Sequence, residues 1–205
     1  MTRQASAVEA MAWGLRDGGL EVITNFPGFY SHRLFELAGG TVTSIDEKTA
    51  FSVAWGAAMA GHRAAVSFKN VGLNAAADPF LNAMLLGING GFVVVVFDDI
   101  AVEGSQLRLD SRHYMDHAPG LWLEPRTVAQ AYELSRGALG LSERFCHPVV
   151  IRVSNTLLSL RGELERRPLS LSPVEFRRAS EDLVIHPVHP LHQWRNKEEM
   201  ALQVK

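Results

Sequence analysis

Apolar residues near the start of the chain fall at helical spacing. Val8, Met11, Ala12 and Leu15 recur three and four apart between Ser6 and Arg16. Asp17-Gly18-Gly19 ends that pattern, and Leu20 to Phe26 reads as a strand closed by the turn Asn25-Phe26-Pro27-Gly28. The alternation then repeats. Ser31 to Leu37 predicts a helix, Thr41 to Ile45 a short strand, and Glu47 to Gly61 a second, Ala-rich helix. Ala64 to Phe68 predicts a strand, Lys69-Asn70-Val71-Gly72 a turn, and Leu73 to Leu86 a helix in which Pro79 marks a kink or a restart. Phe92 to Phe97 is apolar at every position, the pattern of a strand covered on both faces. Leu121 to Leu123 and Pro148 to Val153 read as further strands, with a helix over Thr127 to Arg144 between them. Alternation of this kind predicts an α/β domain: an open, mostly parallel sheet of about six strands flanked by helices.

After Ser154 the pattern breaks down. Pro168, Pro173, Pro187 and Pro190 punctuate the remainder, and His186, His189 and His192 recur at every third position. The prolines between those histidines oppose a helix that would gather them around a metal, so no metal site is expected there. The segment 161–205 reads instead as an irregular arm that packs on a partner subunit, behind a domain over 1–160.

A length of 205 residues suits one such domain plus an arm, and 47% hydrophobic with 20% charged residues is the balance of a soluble globular chain. A net charge of -2 without a run of Lys or Arg argues against nucleic acid as a partner. Cys146 is the only cysteine, which excludes a disulfide framework or a cysteine-ligated cluster within the chain and fits a reducing compartment. The N-terminus lacks the apolar core of a signal peptide, and the run at Phe92 is too short to span a bilayer. A cytoplasmic protein with no membrane partner is the expectation.

In an open parallel sheet, ligands bind beyond the carboxyl ends of the strands. Four stretches leave such ends: Asn25 to Tyr30, Asp46-Glu47, Lys69 to Asn74, and Asp98-Asp99 through Ser105-Gln106. No Gly-x-Gly-x-x-Gly, phosphate-loop or Gly-x-Ser-x-Gly motif accompanies them, so dinucleotide, P-loop and serine-hydrolase chemistry lack their signatures. Asp98-Asp99 reads either as an Mg²⁺ site or as a polar strand end capping the next turn. Glu47, at the start of a helix, is either a first-turn acid complementing the helix dipole or a functional carboxylate.

Several stretches together resemble a known family. Pro27-Gly28 and Asp46-Glu47-Lys48, leading into Ala54-x-Gly56-Ala57-Ala58-x-Ala60-Gly61, are similar to the pyrimidine-binding domain of thiamine diphosphate enzymes. The nearest resemblance is to the α subunit of indolepyruvate ferredoxin oxidoreductase. Lys69-x-Val71-Gly72-Leu73-Asn74-x-Ala76-x-Asp78-Pro79, Ser105-Gln106-x-x-x-Asp110-x-Arg112 and Leu123-Glu124-Pro125 extend the match from about Ala5 to Arg161. The resemblance implies that 1–160 is the pyrimidine-binding domain and that the activating acid is Glu47, hydrogen-bonded to N1′ of the cofactor's aminopyrimidine. It implies further that Pro27, Gly28, Gly72 and Asn74 bind cofactor.

The sequence departs from the family pattern after Pro27-Gly28, where Phe29-Tyr30-Ser31-His32 replaces a run of small residues. Phe29, Tyr30, Ser105, Gln106 and His113 are therefore expected to shape the substrate pocket, with His32 as a candidate proton donor. The family's Gly-Asp-Gly signature for Mg²⁺ and the diphosphate is missing, so the resemblance implies a partner subunit that holds most of the thiamine diphosphate and Mg²⁺, in an even-numbered assembly such as a heterotetramer. A cysteine-rich ferredoxin domain is also missing. The expected activity is decarboxylation of a 2-oxo acid, followed by protonation of the enamine or its transfer to an acceptor, as in a decarboxylase or carboligase. The alternatives are a subunit of a 2-oxo acid ferredoxin oxidoreductase and, from another class, a non-catalytic interface subunit.

Overall fold

A computed structural model describes residues 2–104, 107–118 and 120–170, together with Ser172, Phe176 and Leu183. Five parallel strands form the main sheet: β2 (Val22–Asn25), β3 (Ala64–Lys69), β4 (Phe92–Asp98), β5 (Leu121–Leu123) and β6 (Val149–Ser154). Their order is β2-β3-β4-β6-β5, which puts β4 at the centre, and every pairing is parallel. All seven residues of β4 are buried, as a strand covered on both faces requires.

Alternate residues of the strands feed two separate cores. Val93, Val95 and Phe97 face α1 (Ala7–Asp17), α2 (Ser31–Ala38) and α7 (Val128–Phe145). Phe92, Val94 and Val96 face α3 (Glu47–Met59) and α5 (Ala77–Leu86). This is the helix–sheet–helix layering expected from the alternation. Ala50, Ala54 and Ala58, the small residues of α3, are fully buried against the chain's own sheet.

Three details differ from the sequence reading. Thr41 to Ile45 is not a strand, and Val42 and Ile45 stand 80% and 84% exposed. The residues read as a turn at Asn70 begin a helix, α4 (Asn70–Ala75), although Pro79 does mark the expected restart, falling in the first turn of α5, where its missing N–H breaks no bond. A second, two-stranded sheet pairs β1 (Arg3–Ser6) antiparallel with β7 (Arg161–Leu164). Just after β7, residues 166–169 lie against α1 and α7. Arg166 binds the buried Asp17 carboxylate, the Arg167 N–H donates to the Tyr132 hydroxyl, and the Leu169 N–H donates to the Asp17 carbonyl at 2.9 Å. The three histidines near the end of the chain lie outside the described residues.

Candidate functional site

The carboxyl edge of the sheet gathers the ends of β2, β3, β4 and β6. At the end of β2, the Ser44 N–H donates to the Asn25 carbonyl at 3.0 Å, and Thr24 Oγ1 donates to the Ala50 carbonyl at 2.6 Å. These two bonds dock the start of α3 against the strand end. Asp46 is the N-cap, with its carboxylate accepting from the Thr49 N–H at 2.6 Å; this bond holds its pKa below the usual carboxylate value. The capping role is thus filled by Asp46, and Glu47 is left over.

Glu47 is half-buried, and among the described residues its carboxylate receives no hydrogen bond and pairs with no cation. Its side chain lies on Gly72 of α4. A Cβ built on Gly72 would stand 2.5 Å from Glu47 Cγ and 2.9 Å from Oε1, so only glycine admits the carboxylate at this depth. The structure therefore brings together two of the residues marked for the cofactor. Two residues along α4, the exposed Asn74 accepts from the Tyr114 hydroxyl at 2.7 Å. Asn74 and Tyr114 line an open pocket of about 470 Å³ with Asn70, Arg108, Ser111 and His113. Asn70 fixes the far wall by donating to the Leu109 carbonyl at 2.6 Å.

The Pro27–Tyr30 turn sits beside the end of β3. A Cβ on Gly28 would touch Lys69 Cβ at 3.4 Å, and the Phe29 and Tyr30 rings meet edge to face at 4.7 Å. His32 lies on the exposed face of α2, with its Nε2 3.4 Å from Glu36 one turn on. His113 is exposed at the pocket. Ser105 and Gln106 lie outside the described residues.

Two buried cations at this edge form pairs that the sequence reading did not assign. Lys69 Nζ donates to Asp99 Oδ2 at 3.3 Å and to the Gly104 carbonyl at 3.1 Å. Arg152 Nε donates to Asp98 Oδ2 at 2.6 Å, and its other nitrogens reach Glu124 at 2.9 Å and Asp110 at 3.5 Å. Each is a lone charge in an otherwise apolar strand, Ala64–Lys69 or Val149–Ser154, and that is the signal that could have revealed them: a charge there must be paired. Asp98 and Asp99 are each engaged by a cation of the chain itself. Among the described residues no group of His, Cys, Asp and Glu has the arrangement of a metal site.

Known proteins place this edge in context. No family model matches the chain. The indolepyruvate oxidoreductase subunit IorA of Archaeoglobus fulgidus is 34% identical over 196 residues, covering 88% of this chain and 32% of that subunit. IorA of Thermococcus kodakarensis is 36% identical over 163 residues, covering 76% and 25%. Over that stretch the chain is a homologue of IorA. It spans a third or less of the length of these curated relatives. The 2-oxoglutarate:ferredoxin oxidoreductase of Magnetococcus marinus, solved with 2-oxoglutarate, coenzyme A and succinyl-CoA bound, superposes with a TM-score of 0.76 at 16% identity. That match covers 100% of this chain and 46% of the other, and it shows the fold. The fold is the pyrimidine-binding domain that the sequence resembles. IorA is by name an oxidoreductase subunit, the class of the alternative reading and not of the decarboxylase or carboligase. Among the described residues no helix is long and apolar enough to cross a membrane.

Proposed function

We propose that the chain is the pyrimidine-domain subunit of a thiamine diphosphate-dependent 2-oxo acid oxidoreductase, with Glu47 as the acid that engages the cofactor. The observation that carries this reading is the bare, half-buried Glu47 carboxylate lodged on Gly72 at the carboxyl edge of the sheet. The residues present fit the group. The glycine leaves a cradle that any Cβ would fill, and the carboxylate has its acceptor capacity free for a ring N–H.

When bound, thiamine diphosphate supplies the electron sink for breaking the bond between a 2-oxo carbon and its carboxylate. Glu47 holds and exchanges a proton at N1′ of the aminopyrimidine, and Gly72 fixes the depth of the carboxylate. Asn74, steadied by Tyr114, offers its amide N–H groups on the same helix, and Pro27-Gly28 borders the substrate side. The pocket beside Asn74 carries Arg108, Arg112 and His113 and suits an anionic substrate such as a 2-oxo acid.

The diphosphate, its Mg²⁺ and the electron acceptor come from outside these residues, on a partner subunit. The surroundings of Glu47 suit such a partner: Val42, Ile45, Val53 and Val71 are exposed on the elements that flank it. The test is to co-express the chain with the subunit carrying the diphosphate domain and to follow 2-oxo acid-dependent reduction of a ferredoxin or a viologen dye. Glu47→Gln should lower the turnover by about 10²-fold or more. A variant with the wild-type rate refutes the assignment. CO₂ release that proceeds without any acceptor being reduced favours decarboxylase chemistry instead.

A further inference from the structure

Most polar groups around the pocket beside Asn74 are already engaged by the chain itself. Asn70 donates to the Leu109 carbonyl, and its Oδ1 accepts from the Val71 N–H at 2.8 Å. Asp110 and Arg112 neutralise each other, with Arg112 Nε at 2.9 Å from both carboxylate oxygens. The Tyr114 hydroxyl donates to Asn74 Oδ1, and its ring meets Phe80 edge-on at 5.9 Å.

What remains is a set of donors. Arg108 has no hydrogen bond or ion pair among the described residues, so its guanidinium brings an uncompensated positive charge to the pocket. Asn74 keeps its amide N–H groups, because its oxygen is the atom that Tyr114 holds. His113 adds an exposed imidazole. Ser111, only 3% exposed, has a hydroxyl without a partner among the described residues. Of the other lining residues, only Ile100 and Leu109 bring aliphatic surface. Such a lining offers an aryl group little to pack on and a carboxylate several bonds.

The position of the pocket says which part of a ligand it meets. Asn70 and Asn74 are four apart and share one face of α4, whereas Gly72, two residues from each, meets Glu47 on the other. The pocket therefore lies across α4 from the carboxylate that engages the cofactor.

We propose that this pocket receives a second carboxylate, at the end of the 2-oxo acid away from the reacting carbons, and that Arg108 selects it. The substrate class is a short dicarboxylic 2-oxo acid such as 2-oxoglutarate. This rests on the reading of the site given above. Two measurements on the chain complexed with its partner subunit test it. In turnover, kcat/KM should be larger for 2-oxoglutarate than for phenylpyruvate. Arg108→Met should lower the 2-oxoglutarate value about tenfold or more, mainly through KM, and the pyruvate value much less. Arg108→Lys, which keeps the charge without the fork, should recover part of the loss. In calorimetry, glutarate, which lacks the 2-oxo group, should bind more tightly than butyrate, and Arg108→Met should weaken it about tenfold.

A preference for phenylpyruvate over 2-oxoglutarate overturns the substrate class. An equal fall for 2-oxoglutarate and pyruvate in Arg108→Met overturns the role of Arg108. Glutarate binding that is absent, or indifferent to Arg108→Met, overturns the anion site whatever the turnover. The underlying reading fails separately, through a fully active Glu47→Gln, and glutarate binding that depends on Arg108 supports the anion site without it.

Discussion

Three carboxylates sit at the carboxyl edge of this sheet, and they are in opposite situations. Asp98 and Asp99, at the end of β4, are fully buried and held by Arg152 and Lys69. Glu47, at the start of α3, is half-buried and has no partner among the described residues. An acid clamped by a cation of its own chain serves the fold, Asp99 through both oxygens and Asp98 through Oδ2 alone, with its Oδ1 unpartnered among the described residues. One that is lodged in place yet unbonded costs little to keep and is free to bind. The comparison separates the scaffold of the site from its chemistry.

It is sharpest for Arg152. Replacing it with Met leaves the buried Asp98 and the half-exposed Glu124 without their cation, while Asp110 keeps Arg112. Breaking a buried pair from one side costs about 3–5 kcal/mol, and this variant should lose stability of that order in urea unfolding. Part of the loss should be recovered at low pH, because burial already pushes the Asp98 carboxyl up and protonation removes the orphaned charge. A loss under about 1 kcal/mol would mean that the edge does not depend on this clamp.

Asp98 and Asp99 should respond to pH with opposite sign. Burial alone would raise Asp99, but the bonds from Asn155, Gly104, Glu103 and Lys69 outweigh it and hold the carboxyl at about 2, against 3.8 unperturbed. Its folded value is depressed, so its contribution is present above 3.8 and is lost as pH falls toward 2. The gap is worth about 2 kcal/mol. Asp98 is raised by burial, so its contribution is present at low pH and is lost as pH rises through its folded value. Relative to wild type, Asp99→Asn should flatten the acid limb of stability against pH, and Asp98→Asn should remove a decline above it. The same sign of change in both variants would contradict the assignment of the two clamps.

The parts of this arrangement that are legible in the sequence are those written in periodicity. The run Phe92 to Phe97 gives the central strand, and the helical spacings of Ser6–Arg16 and Thr127–Arg144 recover α1 and α7. Thr41 to Ile45 is misread because β-branched residues fill it as they fill a strand, although Val42 and Ile45 face outward. The β1–β7 pair is missed because Arg-Gln-Ala-Ser carries no apolar alternation and its partner lies more than 150 residues away. Glu47 and Gly72 are found by their resemblance to a known motif, whereas their contact depends on how α3 and α4 dock, which no local pattern encodes. Lys69 and Arg152 are single charges in largely apolar strands, and their partners come from the end of β4 and from the segments that follow β4 and β5.

The smallest expected effect is the most telling. Glu47→Gln keeps the size of the side chain and removes only the charge. No hydrogen bond or ion pair among the described residues depends on that charge, and the helix it begins is capped by Asp46. The folding stability of the chain should therefore change by no more than about 0.5 kcal/mol, the range of a substitution away from any network. If Glu47 were a first-turn acid placed for the helix dipole, removing its charge should destabilise α3 by up to about 1 kcal/mol, and salt should diminish the loss. Urea unfolding of wild type and variant at low and high ionic strength separates the two. Equal stability together with lost turnover in the complex makes Glu47 a residue kept for its chemistry. A salt-sensitive loss of stability with turnover retained returns it to the scaffold, beside Asp98 and Asp99.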